Sequence, residues 1–459
     1  MSAATDRITP ARALAFAVLR RTFEDGAHSE RAFRAEAEAR ELAGRERAQA
    51  QRLAYGSVQR RGSTDAAIEE LAGRSISQLD PPVLAALRLG LYELLWADAV
   101  PDHAVVDQAV ELVKAAGAAH AAGFANAILR RAAREREHLL RRFADDSTPA
   151  AAAVADSVPE WLARLWWEEL GPEAARALLA ACNEPAETAF RADDDPAAVL
   201  AALRQAGVEA APAGGGWPLA VAEEIVVSGR TGALAVELVA AGRLTPQSRG
   251  SAAVVEVLDP RPGDHVLDLC AGPGIKTGQI AGRLGAGGQV ISVELDPERA
   301  REVAAQAERL RLHGVAVVEA DATALSGLEP RFDRVLLDAP CSDLGALASR
   351  PDARWRKSPK TVERLAGVQA AALRQAAALL GPGGTLVYST CTISRRENED
   401  QVAALLEAAG SGGVPPLVLE DLGALAPSLA SPHDSRCLQL RPDRDRTTGF
   451  FIARLKRND

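Results

Sequence analysis

The sequence predicts a multi-domain chain: an all-α bundle, a small α+β subdomain, and a doubly wound α/β domain on a mostly parallel sheet. Three observations predict it. Up to about Phe143, apolar residues recur at helical spacing throughout. Over 144–160 the composition shifts to Ala, Ser, Asp and Pro, as in a linker, and a short mixed stretch comes after it. From Thr245 onward, short apolar strands alternate with helical segments, the pattern of βαβ units. Boundaries are therefore placed at 1–143, 144–244 and 245–459.

Taken in order, Thr9 can cap a first helix with Pro10 at its first position. Asp80-Pro81 repeats that arrangement before Val83-Leu-Ala-Ala-Leu-Arg-Leu-Gly-Leu-Tyr-Glu-Leu-Leu-Trp96. After the linker, Pro159-Glu-Trp-Leu-Ala-Arg-Leu-Trp-Trp167 is helical, and its three tryptophans fall on or near one face, as core residues would. The mixed stretch holds Ala189-Phe-Arg191, a helix from Asp195 to Gly207, Val208-Glu-Ala210 and a turn at Gly214-Gly-Gly216. It is too small to stand comfortably alone. Seven strands are then expected: Val266–Cys270, Val290–Glu294, Val315–Glu319, Val335–Asp338, Thr385–Ser389, Cys437–Leu440 and Phe450–Leu455. The last two, joined by Arg441–Thr448, are expected to form an antiparallel hairpin at the end of the sheet.

At 459 residues and 47% hydrophobic content the chain can hold two or three cores. No run of 18 apolar residues appears, and Met1–Arg7 lacks a basic region followed by an apolar one, so a cytoplasmic protein without a membrane span is expected. The net charge of −9 hides a division by region. Residues 1–143 carry 21 basic and 19 acidic groups, 144–244 carry 6 and 16, and 245–459 carry 26 and 27. The acidity sits in the middle, while Arg60-Arg61, Arg130-Arg131, Arg141-Arg142 and Arg350 to Lys360 are local basic clusters. A basic cluster is more often a solvated face than a nucleic-acid patch, so charge alone does not establish RNA binding. Five widely spaced cysteines, Cys182, Cys270, Cys341, Cys391 and Cys437, with no Cys-x-x-Cys pair, argue against a disulfide framework or a zinc site.

One stretch organises the last domain: Val266-Leu-Asp-Leu-Cys-Ala-Gly-Pro-Gly-Ile-Lys-Thr-Gly278. A buried strand ends in a glycine turn and passes into a helix, which sets bare backbone N–H groups and a positive helix end above the sheet. A phosphate-cradling P-loop needs Gly directly before the lysine, and Ile275 stands there. A dinucleotide fingerprint needs Gly where Thr277 stands. S-adenosylmethionine needs such a turn plus an acid at the end of the next strand for its ribose hydroxyls, and Glu294 is so placed. An ordinary strand–helix corner holding no ligand is the remaining alternative.

Two further strands carry chemistry to the same edge. Phe332-Asp-Arg-Val-Leu-Leu-Asp-Ala-Pro-Cys-Ser342 delivers Asp338 and Cys341, and Leu386-Val-Tyr-Ser-Thr-Cys-Thr392 delivers Cys391. A single buried cysteine is usually a small hydrophobe, but two beside a carboxylate and a cofactor turn are hard to explain as packing.

At these residues the sequence resembles a known family. Asp268-Leu-Cys-Ala-Gly-Pro-Gly-Ile-Lys276, Asp338-Ala-Pro-Cys-Ser342 and Ser389-Thr-Cys-Thr392 with Glu397-Asn-Glu399 look like the RNA 5-methylcytosine methyltransferases. Pro101–Lys114 and Gly123–Arg131 resemble the NusB-like domain, an all-helical RNA-binding module. Together the chain resembles the ribosomal RNA small-subunit methyltransferase B family, also called Sun or Fmu. The resemblance implies a Rossmann-like class I methyltransferase domain, S-adenosylmethionine as cofactor, small-subunit ribosomal RNA as partner, no metal, and a monomer. It implies Cys391 as the nucleophile that adds to carbon 6 of cytosine, Asp338 as the group at N3, and Cys341 as the thiol that assists release. For the cofactor it implies Cys270, Ala271, Gly272, Pro273, Gly274, Ile275 and Lys276 as the loop, Glu294 on the ribose, Asp321 near the adenine amine, and Asp338. Arg350, Arg354, Trp355, Arg356 and Lys357 are expected to grip phosphates or a base turned out of its stack.

Three positions depart from the family pattern: Glu294 for the more usual Asp, Ile275 for a second Gly, and Gln247-Ser248 where Gln-Asp is common. The alternatives are the same chemistry on transfer RNA, or an RNA-binding antitermination factor with an idle methyltransferase fold.

Overall fold

Proline decides where two of the first helices begin. Pro10 opens Pro10–Phe23 and Pro81 opens Pro81–Trp96, each supplying a fixed φ and lacking an N–H that a helix start leaves unpaired anyway. Twelve of the 16 residues of Pro81–Trp96 are buried, so this helix runs through the middle of a bundle with Ser29–Ala39, Gly44–Gln59, Arg61–Ala72, Asp102–Ala115 and Ala122–Arg134. Its two buried charges are both paired. Glu93 accepts a fork from Arg12 at 2.8 and 2.6 Å, and Arg88 donates one to Asp65 at 2.7 and 2.8 Å. The structure, a computed structural model, describes residues 7–97, 100–214, 218–219, 221–285, 287–329 and 332–458. Gly215 and Gly216 of the expected turn lie outside the described residues.

The chain forms two compact units, and they divide elsewhere than the composition suggests. The first unit runs to Glu184 and takes back Leu347–Lys357; the second holds Pro185–Ala346 and Ser358–Asp459. The expected linker is partly a helix, Pro149–Ala155, whose start is capped by Thr148 Oγ1 accepting from the N–H of Ala151 at 3.2 Å. Alanine, read as linker composition, is also the best helix former, and the cap decided for the helix. Glu160–Leu170 and Pro172–Ala181 complete this unit. Of the three tryptophans, Trp166 is fully buried, while Trp161 and Trp167 are half-buried.

The second unit begins with a four-stranded antiparallel sheet of β1 (Ala189–Ala192), β2 (Glu209–Pro212), β3 (Glu224–Ser228) and β4 (Leu244–Pro246), ordered β2-β3-β1-β4. Arg191 of β1 ties this small sheet to the rest of the unit, donating to Gln247 Oε1 at 2.6 Å and to the carbonyl of Ile275 at 3.0 Å. The main sheet contains β5 (His265–Leu269), β6 (Gln289–Glu294), β7 (Val315–Glu319), β8 (Phe332–Asp338), β9 (Leu380–Thr390), β10 (Leu417–Leu419), β11 (Leu438–Leu440) and β12 (Phe450–Arg457). The order is β10-β12-β9-β8-β5-β6-β7, with β11 paired to β12. Strands β5 to β9 are parallel, and β12 runs antiparallel to β9, β10 and β11. The sheet thus has eight strands rather than seven; the extra one, β10, is only three residues long, too short to show a period.

Beyond His265 every residue of β5 is buried, because helices cover both faces of a parallel sheet. The chain leaves β5 toward β6 on one side and returns through β8 on the other, so the crevice between β5 and β8 lies at the switch point where such sheets bind ligands. Among the described residues no helix is long and apolar enough to cross a membrane.

Candidate active site

At the end of β5 the chain turns sharply. Cys270, Gly272 and Gly274 take positive φ values of 62°, 58° and 83°, and the last opens helix Ile275–Leu284. A side chain on Gly274 would meet the backbone of Val303 at 3.0 Å, so glycine is required there. Ile275 is the first helical residue and needs no glycine, which explains how the turn tolerates it. The N–H of Ala271 donates to Val293 O at 3.0 Å, and that of Gly272 to Glu294 Oε2 at 2.8 Å, so β6 fixes the loop. Glu294 Oε1 accepts from the N–H of Asp296 at 3.1 Å. A carboxylate has about four lone-pair sites, so Glu294 retains acceptors for hydroxyl groups. Asp321, after β7, is exposed and holds its own turn through the N–H and hydroxyl of Thr323, which keep its carboxyl below the usual range. Pro273 is exposed at the tip.

Beneath the loop lies Asp268, fully buried. Its Oδ2 accepts from Thr277 Oγ1 at 2.6 Å, and its Oδ1 has no partner among the described residues. Burial pushes its pKa up to about 7, against the hydrogen bond from Thr277. Burial, and then the charge of Glu294, push the Cys270 thiol up as well. Across the crevice Asp338 is an ion-paired carboxylate: Lys276 Nζ donates to Oδ2 at 2.6 Å and Ser389 Oγ to Oδ1 at 2.8 Å. The lysine also lies 5.0 Å from the centre of the Phe450 ring.

Cys341 and Cys391 meet. Their sulfurs are 3.2 Å apart, both as thiols, just beyond β8 and β9. Cys341 is buried and Cys391 half-buried. The hydrogen bond to the Cys391 sulfur, together with burial, drives the Cys341 thiol well above its ordinary value, so it keeps its proton. Cys391 Sγ also donates to Asp343 Oδ1 at 3.3 Å, and the three ligand atoms lie within 4.8 Å of one another, a donor set that a soft metal ion would accept. Behind the thiols sits a buried carboxylate, Glu397. It accepts from the N–H of Ser342 at 2.9 Å, from the Ser342 hydroxyl, and from Gln369 Nε2 at 3.0 Å. Next to it, Asn398 Oδ1 takes the hydroxyl of Thr390 at 2.6 Å while Nδ2 donates to Thr392 O at 3.1 Å. The loops bearing the two cysteines are therefore locked to one buried polar cluster.

Residues 255–456 match the family described as 16S rRNA methyltransferase RsmB/F, and residues 9–134 match the NusB family. A protein of Synechocystis sp. (strain ATCC 27184 / PCC 6803 / Kazusa) named "Probable ribosomal RNA small subunit methyltransferase B" is 32% identical over 97% of this chain and 99% of its own. The chain belongs to the RsmB/F methyltransferase family. A protein of the same name from Bacillus subtilis (strain 168) is 30% identical over 98% of this chain and 99% of its own. The crystal structure of PH0851 has the same fold, with a TM-score of 0.80 at 23% identity over 98% of this chain and 99% of that one.

In this RsmB/F member the arginine-rich segment is not what its charge suggests. Arg354 is fully buried inside the first unit, and burial lowers its pKa to about 10. Its Nη1 donates to Asp156 O, Ser157 O and Asn183 Oδ1 at 3.3, 3.1 and 3.1 Å; its Nη2 donates to Cys182 O and Leu347 O at 2.9 and 3.1 Å. The expectation that Arg354 grips RNA is corrected: its guanidinium is spent on carbonyls at two helix ends, where a cation is favoured. Trp355 donates Nε1–H to Val58 O at 2.7 Å, with Arg61 5.1 Å from its ring, so its indole is engaged within the first unit while staying half-buried. Arg356 pairs with Asp352 at 2.8 Å, Lys357 is half-buried, and Arg350 is exposed.

The departure at Ser248 also resolves. Its hydroxyl caps helix Arg249–Leu258 by accepting from Ser251 N at 3.3 Å, the work an Asp would do there. Sequence reasoning missed the jobs of Glu397, Gln369 and Asp343. Glu397 carried a signal, standing inside a family motif, whereas Gln369 carried none.

Proposed function

We propose that this RsmB/F methyltransferase moves a methyl group from S-adenosylmethionine to carbon 5 of a cytosine in small-subunit ribosomal RNA, through a bond from Cys391 to carbon 6. The observation that carries the reading is the pair of thiols 3.2 Å apart at the ends of neighbouring strands, one exposed enough to attack and one kept protonated. Carbon 5 of cytosine is too weak a nucleophile until a sulfur has added at carbon 6. The residues of the loop fit the cofactor: a positive-φ turn bares backbone N–H groups, Glu294 keeps lone pairs for the ribose, and the buried Oδ1 of Asp268 has no partner among the described residues. When bound, S-adenosylmethionine supplies an electrophilic methyl group.

The chain's own residues do the rest. Cys391 Sγ adds to carbon 6, and the electron pair displaced toward N3 takes a proton that Lys276 Nζ passes on through the Asp338 carboxylate across 2.6 Å. After transfer N3 returns its proton to Asp338, the carbon 5 proton passes to solvent as its electron pair re-forms the ring double bond, and the sulfur–carbon bond breaks with its pair returning to sulfur. Cys341 then hydrogen-bonds the departing sulfur. The NusB-like bundle and the exposed Arg350 supply RNA contacts.

The test mixes Cys341→Ala or Cys391→Ala protein with S-adenosylmethionine and small-subunit ribosomal RNA, with a denaturing gel as the readout. The expected result is a slow-moving covalent RNA adduct with Cys341→Ala and none with Cys391→Ala. The reverse pattern would invert the two roles. No adduct from either, together with no methyl transfer by wild type, would send the search to transfer RNA and then to a non-catalytic RNA-binding role.

A further inference from the structure

Cys391 faces a carboxylate as well as a thiol. Its Sγ–H points to Asp343 Oδ1 at 3.3 Å, so a path for the thiol proton is already laid. Asp343 holds a left-handed backbone, φ 59°, which a side chain makes costly and glycine adopts freely. The turn has backbone hydrogen bonds of its own: the N–H of Gly345 donates to Cys391 O at 2.9 Å, and that of Gly449 to Gly345 O at 2.9 Å. One residue before it, Ser342 is pinned by Glu397 through both N–H and hydroxyl, which fixes where the Asp343 backbone stands. A negative charge beside a thiol favours the thiol over the thiolate. A carboxylate here would therefore hinder a mechanism that needs preformed thiolate, and it helps one in which the proton moves during attack.

We propose that Asp343 is the proton acceptor for Cys391. As the Sγ–C6 bond forms, the S–H bond breaks and its proton passes to Asp343 Oδ1. On release the Sγ–C6 bond breaks, the sulfur keeps the electron pair, and it takes that proton back, restoring thiol and carboxylate. The proposal rests on the cytosine-5 reading given above.

The test measures single-turnover adduct formation by Cys341→Ala protein, alone and combined with Asp343→Asn or Asp343→Gly. Small-subunit ribosomal RNA, S-adenosylmethionine and a chelator are present, between about pH 6 and pH 9. Both replacements are expected to slow the adduct about 100-fold at neutral pH, a usual worth for general-base assistance. The gap should close as pH approaches about 8.5, where a free thiol ionises unaided. Asn keeps a polar side chain and Gly relaxes the backbone, so equal losses from both exclude a folding defect. Rates within about twofold of the parent, or a loss of the same size at every pH, would overturn the role of Asp343 and leave the cytosine-5 reading standing. No adduct from the Cys341→Ala parent would overturn both.

Discussion

At the ends of β5 and β6 the polar groups are kept partly uncommitted, whereas at the ends of β8 and β9 they are spent on one another. Among the described residues Glu294 accepts from two backbone N–H groups, and Asp268 leaves an oxygen without a partner. Behind the thiols, Glu397 is saturated by Ser342 and Gln369, and Asn398 is bonded through both ends of its amide. On the function proposed above, the difference follows from the job of each edge. A site that receives a ligand and lets it go keeps hydrogen-bonding capacity in reserve. A site that makes and breaks a covalent bond must hold its atoms within a few tenths of an ångström, so its capacity goes into rigidity.

The hardest blow to that contrast would come from Glu397. Glu397→Ala strands the N–H and hydroxyl of Ser342 and the amide of Gln369 in a buried site. It is expected to cost about 3 kcal/mol or more in urea unfolding and at least about 100-fold in methyl transfer. Full activity would mean that the thiol edge does not depend on its buried cluster.

Asp268 sharpens the other side. Burial raises its folded-state pKa to about 7, above an unfolded value of about 3.9, so the native protein binds this proton more tightly than the unfolded chain. Its contribution is complete below about pH 4 and is lost as pH rises through about 7. Asp268→Asn cannot titrate. The variant should gain on wild type between about pH 4 and pH 7, by an amount on the order of a few kcal/mol, and the difference should level off above. Urea unfolding across that range measures it; a flat difference would show that the buried oxygen is satisfied after all.

The smallest effect belongs to Asp321, exposed at the rim. Asp321→Ala should leave stability within about 0.5 kcal/mol and weaken S-adenosylmethionine binding by up to about tenfold in calorimetry. A large loss of stability would place it with the committed groups instead.

Most of this site was legible because its residues come after strands whose apolar runs announce themselves. Cys270, Asp338 and Cys391 each stand at or just past the end of such a run, and a parallel sheet sends all those ends to one edge. Arg354 was not legible. Four of its five acceptors lie 171 to 198 residues earlier, at Asp156, Ser157, Cys182 and Asn183, and nothing in a local pattern says which helix-end carbonyls need a cation. An arginine among other arginines looks like surface charge until its hole is seen. The division after Glu184 was hidden for a related reason, since Pro149–Ala155 has the composition of a linker and the cap of a helix.

The return of Leu347–Lys357 to the first unit has a consequence for synthesis. A ribosome releases Glu184 more than 160 residues before Leu347 appears, a delay on the order of ten seconds or more. During that interval the carbonyls of Asp156, Ser157 and Cys182 await a guanidinium that has not been translated. The N-terminal bundle can collapse early but closes late, so a nascent chain stalled before Arg354 carries an unfinished first unit however well its helices have formed.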